Sequence, residues 1–492
     1  MVASGKKLII CIFFLLSQQV QAQKKAVQKK DSPLPNIIII YADDLGYGDL
    51  GSYGAEFKTP HIDEIGRQGI RFSNFYVASP VCTPSRFGLL TGQYPEKSKR
   101  FLTTALMPGA TNYLDTSEHT IGWYLQKKKY HTGIIGKWHL GIRDSATRPT
   151  QYGFDHFTGM MGGAIDYFNH DYGSMGSDWY VNNQPAVEKG YSTDLLTSHA
   201  IRFIESTRQG QPFFLYLAYN APHYGKTDTT RIQPLTISLG TSNYKGVENI
   251  NSLQVPEEYM KRVETIKDPY RKAYAAMVTA LDDNVGRLLE WLKKKNLLDN
   301  TIIWFMSDNG GYARSYYAHG SNGKLKGEKA ELWEGGIKVP AMLMWKNRIR
   351  QQQTMNDLFC NIDVLPTLAS ITGMQSDLPA SLDGLDRSKI LLEGQHQERS
   401  LYWKFNKDIA FRQGDWKLFN GKELYDLNKD PEEKNNLAGQ YPAIVLQLKE
   451  LQQKKVKEIK AFREMIVLPD LISSDSTQSK STKSKSTKLN LP

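Results

Sequence analysis

The 492-residue sequence predicts an α/β protein: a doubly wound, mostly parallel sheet, then a smaller antiparallel sheet with one helix. Two observations carry this. Between residue 35 and about 375, apolar runs alternate with helix-like stretches, and the runs are continuous, as in strands covered on both faces. After about residue 395 the texture changes to short strand-like pieces split by Asn, Lys, Gly and Asp.

The strand-like runs are 36–41, 133–136, 212–219 and 301–306. Helical patterns lie between them at 61–69, 120–128 and 270–292. The last places Tyr274, Met277, Val278, Leu281, Val285, Leu288 and Leu292 at helical spacing. Strand–helix–strand alternation implies right-handed crossovers and a parallel sheet. In the C-terminal part, 400–403, 409–413, 416–419 and 423–425 read as short antiparallel strands, and 444 to about 462 as a helix packed on them. The domain reading is therefore 35–380 for the larger α/β domain and 381–472 for the small α+β domain. Residues 473–492 form a Ser/Thr/Lys tract that reads as disordered. No internal repeat is visible.

The N-terminus reads as an export signal over residues 1–22. Lys6-Lys7 precedes the apolar run 8–16 and a polar stretch ending at Ala22, the expected cleavage point; 23–34 is then a leader. The apolar run is too short to span a bilayer, and no other segment could. This places the protein in the periplasm or outside the cell. A mean hydropathy of −0.48 excludes a polytopic membrane protein, and 11% aromatic residues exclude global disorder.

The net charge of +11 invites a nucleic-acid reading, but its location argues against one. Residues 1–22 carry +2, 23–31 carry +3 and 473–492 carry +3, leaving +3 for everything between. The body offers no broad basic face for a phosphate backbone.

Chemistry gathers where the apolar runs end. Run 36–41 leads into Asp43-Asp44, 133–136 into Lys137-Trp138-His139, 212–219 into Asn220-Ala221-Pro222-His223, and 301–306 into Asp308-Asn309-Gly310. In a parallel sheet these carboxyl ends share one edge, where ligands bind. Each piece has a bland reading: Asp43-Asp44 and Asp308-Asn309-Gly310 as turns, His139 and His223 as structural histidines, and 323–329 as a solvated basic loop. Their coincidence favours a site. Three carboxylates and an amide oxygen make a hard-oxygen cage suited to Ca²⁺ or Mg²⁺ rather than zinc, and the adjacent lysines and histidines suit an oxyanion held against that cation.

Of three cysteines, Cys11 lies in the signal segment and Cys360 in an apolar context. One disulfide between Cys82 and Cys360 is possible, but this is no disulfide scaffold. Cys82 sits in Cys82-Thr83-Pro84-Ser85-Arg86, followed by Leu89-Leu90-Thr91-Gly92. This segment resembles the signature of the type I, formylglycine-dependent sulfatases. The resemblance extends through 41–49, 136–141, 221–223, 307–311 and Trp333-Glu334-Gly335-Gly336 into 414–418 and 424–427, so it covers about residues 35 to 440.

The resemblance implies an alkaline-phosphatase-like fold and a sulfuric ester hydrolase. It implies that a maturation enzyme, reading Pro84 and Arg86, converts Cys82 to formylglycine. Asp43, Asp44, Asp308 and Asn309 match the ligands of one calcium ion, with the group at position 82 or the substrate sulfate completing the shell. Arg86 would orient the hydrated formylglycine, Lys137 and His139 would hold one of its hydroxyls, and His223 and Lys329 would contact sulfate. Lys329 is preferred to Lys326 because it alone has the family spacing before Trp333-Glu334-Gly335. One hydroxyl attacks sulfur and the other then loses its proton to His139 as sulfate leaves.

Segment 162–170 resembles a substrate loop of carbohydrate sulfatases, with Asp166 and His170 facing sugar hydroxyls; its bland reading is a Gly-rich surface loop. Tyr312, Arg314, Tyr316 and Tyr317 would line the cleft entrance. The expected substrate is a sulfated polysaccharide fragment, an algal galactan or ulvan or a glycosaminoglycan. The nearest alternative is a phosphate or phosphonate monoester hydrolase on the same fold. A non-catalytic binder of sulfated glycan is the alternative from another class, disfavoured because no expected polar position is missing.

Overall fold

A computed structural model describes residues 33–142, 145–228, 237–240, 249–313 and 319–478. The segment read as an export signal, most of the leader, Arg314, Tyr316, Tyr317 and the end of the C-terminal tract lie outside the described residues.

The main sheet has ten strands. In chain order they are β1 (Asn36–Asp43), β2 (Ile70–Phe72), β3 (His131–Lys137), β4 (His156–Met160), β5 (Tyr180–Val181), β6 (Gln184–Pro185), β7 (Phe213–Pro222), β8 (Thr301–Ser307), β9 (Ala341–Met344) and β10 (Gln353–Met355). Their spatial order is β10-β2-β9-β8-β1-β7-β3-β4-β5-β6. Strands β8, β1, β7, β3 and β4 pair in parallel, while β9 joins β8, and β5 joins β4, antiparallel.

The continuous apolar runs follow from burial on both faces. The first helix, α1, is Pro60–Arg67 and the next, α2, is Cys82–Thr91; Ile37, Ile39 and Tyr41 of β1 enter one core with Phe87, Leu89 and Leu90 of α2. Ile38, Ile40 and Ala42 enter the opposite core with Met277, Leu281 and Leu288 of the helix Pro269–Lys294. Successive side chains thus serve different helical layers, and from Ile37 to Ala42 neither face of β1 carries a charged residue. Every position of the helical pattern from Tyr274 to Leu292 is buried. The same helix starts at an Asp268 N-cap that accepts from Arg271 N at 2.7 Å.

After residue 395 come four antiparallel strands in sequence order, β11 (Ser400–Phe405), β12 (Asp408–Gln413), β13 (Trp416–Phe419) and β14 (Glu423–Asp426). The helix Pro442–Gln478 contributes Leu448 and Ile459 to their core. It runs past the expected end near 462 and into the tract read as disordered, as far as Gln478. The short strands β10, β2 and β9 on one flank of the sheet and β5 and β6 on the other, and a three-stranded sheet of Gly225–Asp228, Ile237–Gly240 and Asn249–Val255, were not expected. Among the described residues no helix is long and apolar enough to cross a membrane. Cys82 and Cys360 are both free, so the possible disulfide is not formed.

Candidate active site

Strands β8, β1, β7 and β3 are consecutive in the sheet, so their carboxyl ends fall side by side. Asp43 is the last residue of β1, Lys137 the last of β3, Asp308 follows β8, and His223 follows β7. Two hydrogen bonds tie two of these ends together: Asp308 N donates to Ala42 O and Asp44 N to the Asp308 side-chain Oδ1, both at 3.0 Å.

Asp44 adopts φ +62°, a left-handed turn that aspartate tolerates better than most residues. The turn sends consecutive carboxylates to different partners. Asp43 meets Lys137 Nζ at 2.6 Å and Arg86 Nη2 at 3.5 Å. Asp44 takes Lys329 Nζ on both oxygens at 2.6 and 2.8 Å, and Asn309 Nδ2 at 2.7 Å. Arg86 also donates to Asp308 Oδ2 at 2.8 Å and to Lys137 O at 3.2 Å. Two glycines permit these approaches. A Cβ on Gly136, which has φ +115°, would stand 1.9 Å from Ala218 O, and one on Gly310 would stand 1.8 Å from Gly335 O.

Cys82 is the first residue of α2, is 3% exposed, and shares a helix face with Arg86 one turn later. Burial pushes its thiol up, with Lys137 and Lys329 acting in the opposite sense. The Thr83 hydroxyl donates to His139 O and accepts from Leu106 N, both at 3.0 Å. His139 Nε2 lies 2.8 Å from Leu106 O. A carbonyl only accepts, so Nε2 carries the ring proton and Nδ1 keeps a lone pair; Nδ1 is buried without a hydrogen-bond partner. Burial, reinforced by Lys137, holds this imidazole well below its ordinary range, so it is neutral at pH 7.

His223 Nδ1 is pinned to Tyr224 O at 2.7 Å and Nε2 faces Asp44 Oδ2 at 3.5 Å. Burial, with Lys329 and Lys137, lowers its pKa to about 3 against the pull of Asp44. Its ring is therefore neutral too, with the proton on Nδ1.

Three carboxylates, Asp43, Asp44 and Asp308, face three cationic groups, Arg86, Lys137 and Lys329. Burial and the neighbouring Asp43 push the Asp308 carboxyl up, while Asp44, although buried, is held low chiefly by Lys329. Asp43 Oδ1 and Asn309 Oδ1 are buried and make no hydrogen bond. Asp43, Asp44 and His223 each offer a ligand atom within 4.8 Å of the others. Two orphaned hard oxygens inside a carboxylate cluster suit a calcium-sized cation, and Asp43, Asp44, Asp308 and Asn309 could hold it.

The structure corrects the substrate-loop expectation. Asp166 is 2% exposed and its oxygens are taken: Oδ1 by Phe168 N and Asn169 N, Oδ2 by Gln254 Nε2 at 2.7 Å. His170 is 1% exposed, sits 3.1 Å from Gly190 O and stacks on Trp179. Both organise their own loop and have no free group for a sugar hydroxyl.

Tyr312, expected at the cleft entrance, has its ring centroid 5.1 Å from Lys329 Nζ. Other residues at the site were not singled out from sequence. The Asn322 amide accepts from Gly311 N at 3.0 Å and donates to Gly311 O at 2.9 Å and Gly327 O at 3.2 Å, tying the segment after β8 to the Lys329 loop. Asn361 Nδ2 reaches Ser85 O at 2.9 Å and Tyr41 OH at 3.3 Å, fixing α2 to β1. Lys326, the alternative to Lys329, lies over the Trp333 ring at 3.3 Å instead.

The chain is similar to known proteins in sequence and in fold. The family described as Sulfatase matches residues 35–374, and the one described as N-sulphoglucosamine sulphohydrolase, C-terminal, matches 327–461. The chain is similar to arylsulfatase A of Homo sapiens, 29% identical over 488 residues, covering 86% of this chain and 88% of that protein. It is also similar to an N-acetylgalactosamine-6-O-sulfatase of Bacteroides thetaiotaomicron, 28% identical over 517 residues and covering 86% and 93%. Among solved structures it resembles Ps i-CgsB in complex with k-i-k-neocarrahexaose, with a TM-score of 0.75, 30% identity, and coverage of 90% of this chain and 99% of that one.

Proposed function

The chain belongs to the sulfatase family and is a sulfuric ester hydrolase, and from that premise we propose that it removes sulfate from a sulfated polysaccharide or its oligosaccharides, using formylglycine made from Cys82 and one calcium ion. The observation that carries the reading is the placement of Cys82, at the start of α2, in the electrostatic field of Lys137 and Lys329 beside the carboxylate cluster with its two orphaned oxygens. The glycan substrate is supported by likeness to the k-i-k-neocarrahexaose complex and to the N-acetylgalactosamine-6-O-sulfatase. Galactan, ulvan and glycosaminoglycan sulfates are the candidate classes. The Lys6-to-Ala22 segment supports export to the periplasm or beyond.

Formylglycine supplies, when hydrated, an oxygen nucleophile for sulfur and a carbonyl to which the site can return. Calcium supplies fixed positive charge for the sulfate oxygens. The rest is done by the chain. Lys137 and Lys329 are held on Asp43 and Asp44 and bring positive charge to where the sulfate oxygens gain negative charge. Arg86, fixed by Asp308, orients the group at position 82. His139 accepts a proton at Nδ1, the only ring nitrogen with a lone pair. His223 serves the departing oxygen from Nε2. Because the ring is neutral in the substrate-free site, Nε2 takes its proton from solvent once the anionic ester is bound, since that charge raises the imidazole pKa.

Matched aryl sulfate and aryl phosphate esters test the reaction class: sulfate is expected to be hydrolysed and phosphate to be a poor substrate. A preference for phosphate would favour the monoesterase alternative. A panel of defined sulfated oligosaccharides then identifies the sugar. The His223 assignment makes a separate prediction. A sugar alkoxide needs a proton to leave, whereas a nitrophenolate leaves with little help. His223→Ala is therefore expected to cost about 10²–10⁴-fold on a glycan sulfate and far less on nitrophenyl sulfate. His139→Ala should cost both alike. Single-turnover rates on both substrates check this, and equal losses for His223→Ala would leave His223 as a sulfate contact only.

A further inference from the structure

The loop that delivers Lys329 is held from two sides. On the side of the main sheet, Lys329 N donates to Gly311 O at 3.3 Å and Ala330 N to Pro80 O at 2.9 Å, next to the Cys82 segment. Ala330 has φ +69°, a conformation that a residue with a side chain adopts only when its surroundings impose it. The loop's shape therefore depends on what grips it.

The other grip comes from the C-terminal sheet. Glu334, 1% exposed, accepts from Lys417 Nζ of β13 at 3.1 Å and from Tyr76 OH at 2.5 Å, and lies 3.9 Å from Arg412 of β12. Glu433 caps the Glu334 backbone N at 2.7 Å and pairs with the same Lys417 at 2.8 Å. Lys326 Nζ reaches Glu433 O at 3.3 Å, Gly335 N returns to Lys326 O at 2.6 Å, and Trp333 stacks on Phe419 of β13 with centroids 4.0 Å apart. Glu334, Glu433 and Lys417 are all buried. Apolar packing would stabilise the junction as well or better, so this buried ion cluster is suited to fixing one geometry.

We propose that Lys417 and Glu433 are positioning residues: acting through Glu334, they fix the loop that holds Lys329 on Asp44, so the C-terminal sheet completes the active site without touching substrate. This rests on the reading of Lys329 as a sulfate contact.

The test is a double-mutant cycle on the full chain with nitrophenyl sulfate, together with inhibition by inorganic sulfate. Lys329→Ala is expected to cost about 10²–10³-fold in kcat/KM, the usual effect of removing one charge-stabilising group. Lys417→Met is expected to cost about 10–100-fold, as for supporting residues behind a site. Its KM and its inhibition constant for sulfate should rise together, and Lys417→Arg should recover most of the loss. The double variant should be no worse than Lys329→Ala alone, because the support has no purpose once the lysine is gone.

Multiplicative losses in the double variant would overturn the proposal. So would a Lys417→Met enzyme with unchanged KM and sulfate inhibition and only a lower maximal rate, which is what a smaller folded fraction gives. Should Lys417→Met not fold, Glu433→Gln replaces it in the same cycle with the same criteria. Full activity in Lys329→Ala would instead remove the underlying reading of Lys329.

Discussion

Cys82→Ser protein is expected to fold as the parent does and to lose sulfate-ester turnover by about 10⁴-fold or more. The exchange is small in volume, and Cys82 occupies the first turn of α2, where serine is well accepted. Sγ forms no disulfide that the change would break. A serine oxygen in this field could take one sulfate, but it has no route back to a carbonyl, so reaction stops after one event. The thermal midpoint and the kcat of the variant, measured side by side, separate loss of chemistry from loss of fold. Sustained turnover by the serine variant would contradict a catalytic group that must regenerate as an aldehyde.

Asp308→Ala is expected to damage both activity and stability. Its Oδ2 holds the fully buried Arg86 at 2.8 Å and its Oδ1 accepts Asp44 N at 3.0 Å. Breaking a buried pair of this kind costs about 3–5 kcal/mol, because the remaining charge is left without its partner. Activity should fall by about 10³-fold, since Arg86 and Asp44 both lose their anchor. The same residue ties the account to calcium. Exhaustive chelation of the parent should abolish activity and lower the melting temperature, calcium should restore both and zinc should not, because the donors are hard oxygens. Calcium should not shift the melting temperature of Asp308→Ala to the same degree. Full activity in the chelated parent would rule out the cation.

How legible these features were in the sequence depended on burial. The runs around Ile37–Ile40 and in β3, β7 and β8 are continuous because each strand is covered on both faces, and that made the polar residues at their ends stand out. The neighbouring β2 and β9 are only three and four residues long and look ordinary, and the strands between Gly225 and Val255 have no apolar run to announce them. Asp166 and His170 misled because a polar residue in a Gly-rich loop looks free. Only the fold brings Gln254 onto Asp166 and Trp179 under His170. The Lys417–Glu334–Glu433 cluster was invisible for a similar reason: it joins residues far apart in the chain, each of which alone reads as a solvated charge. The long C-terminal helix passes Phe462 into a Ser/Thr-rich stretch whose composition argues against helix.

Peptide mass spectrometry of catalytically active protein, at the peptide containing Cys82, tests the central claim most directly. The account predicts that the cysteine side chain has exchanged its sulfur for an aldehyde oxygen, and that the converted fraction tracks specific activity across preparations made with and without the maturation enzyme. Full activity in protein whose Cys82 remains an unmodified thiol would contradict it.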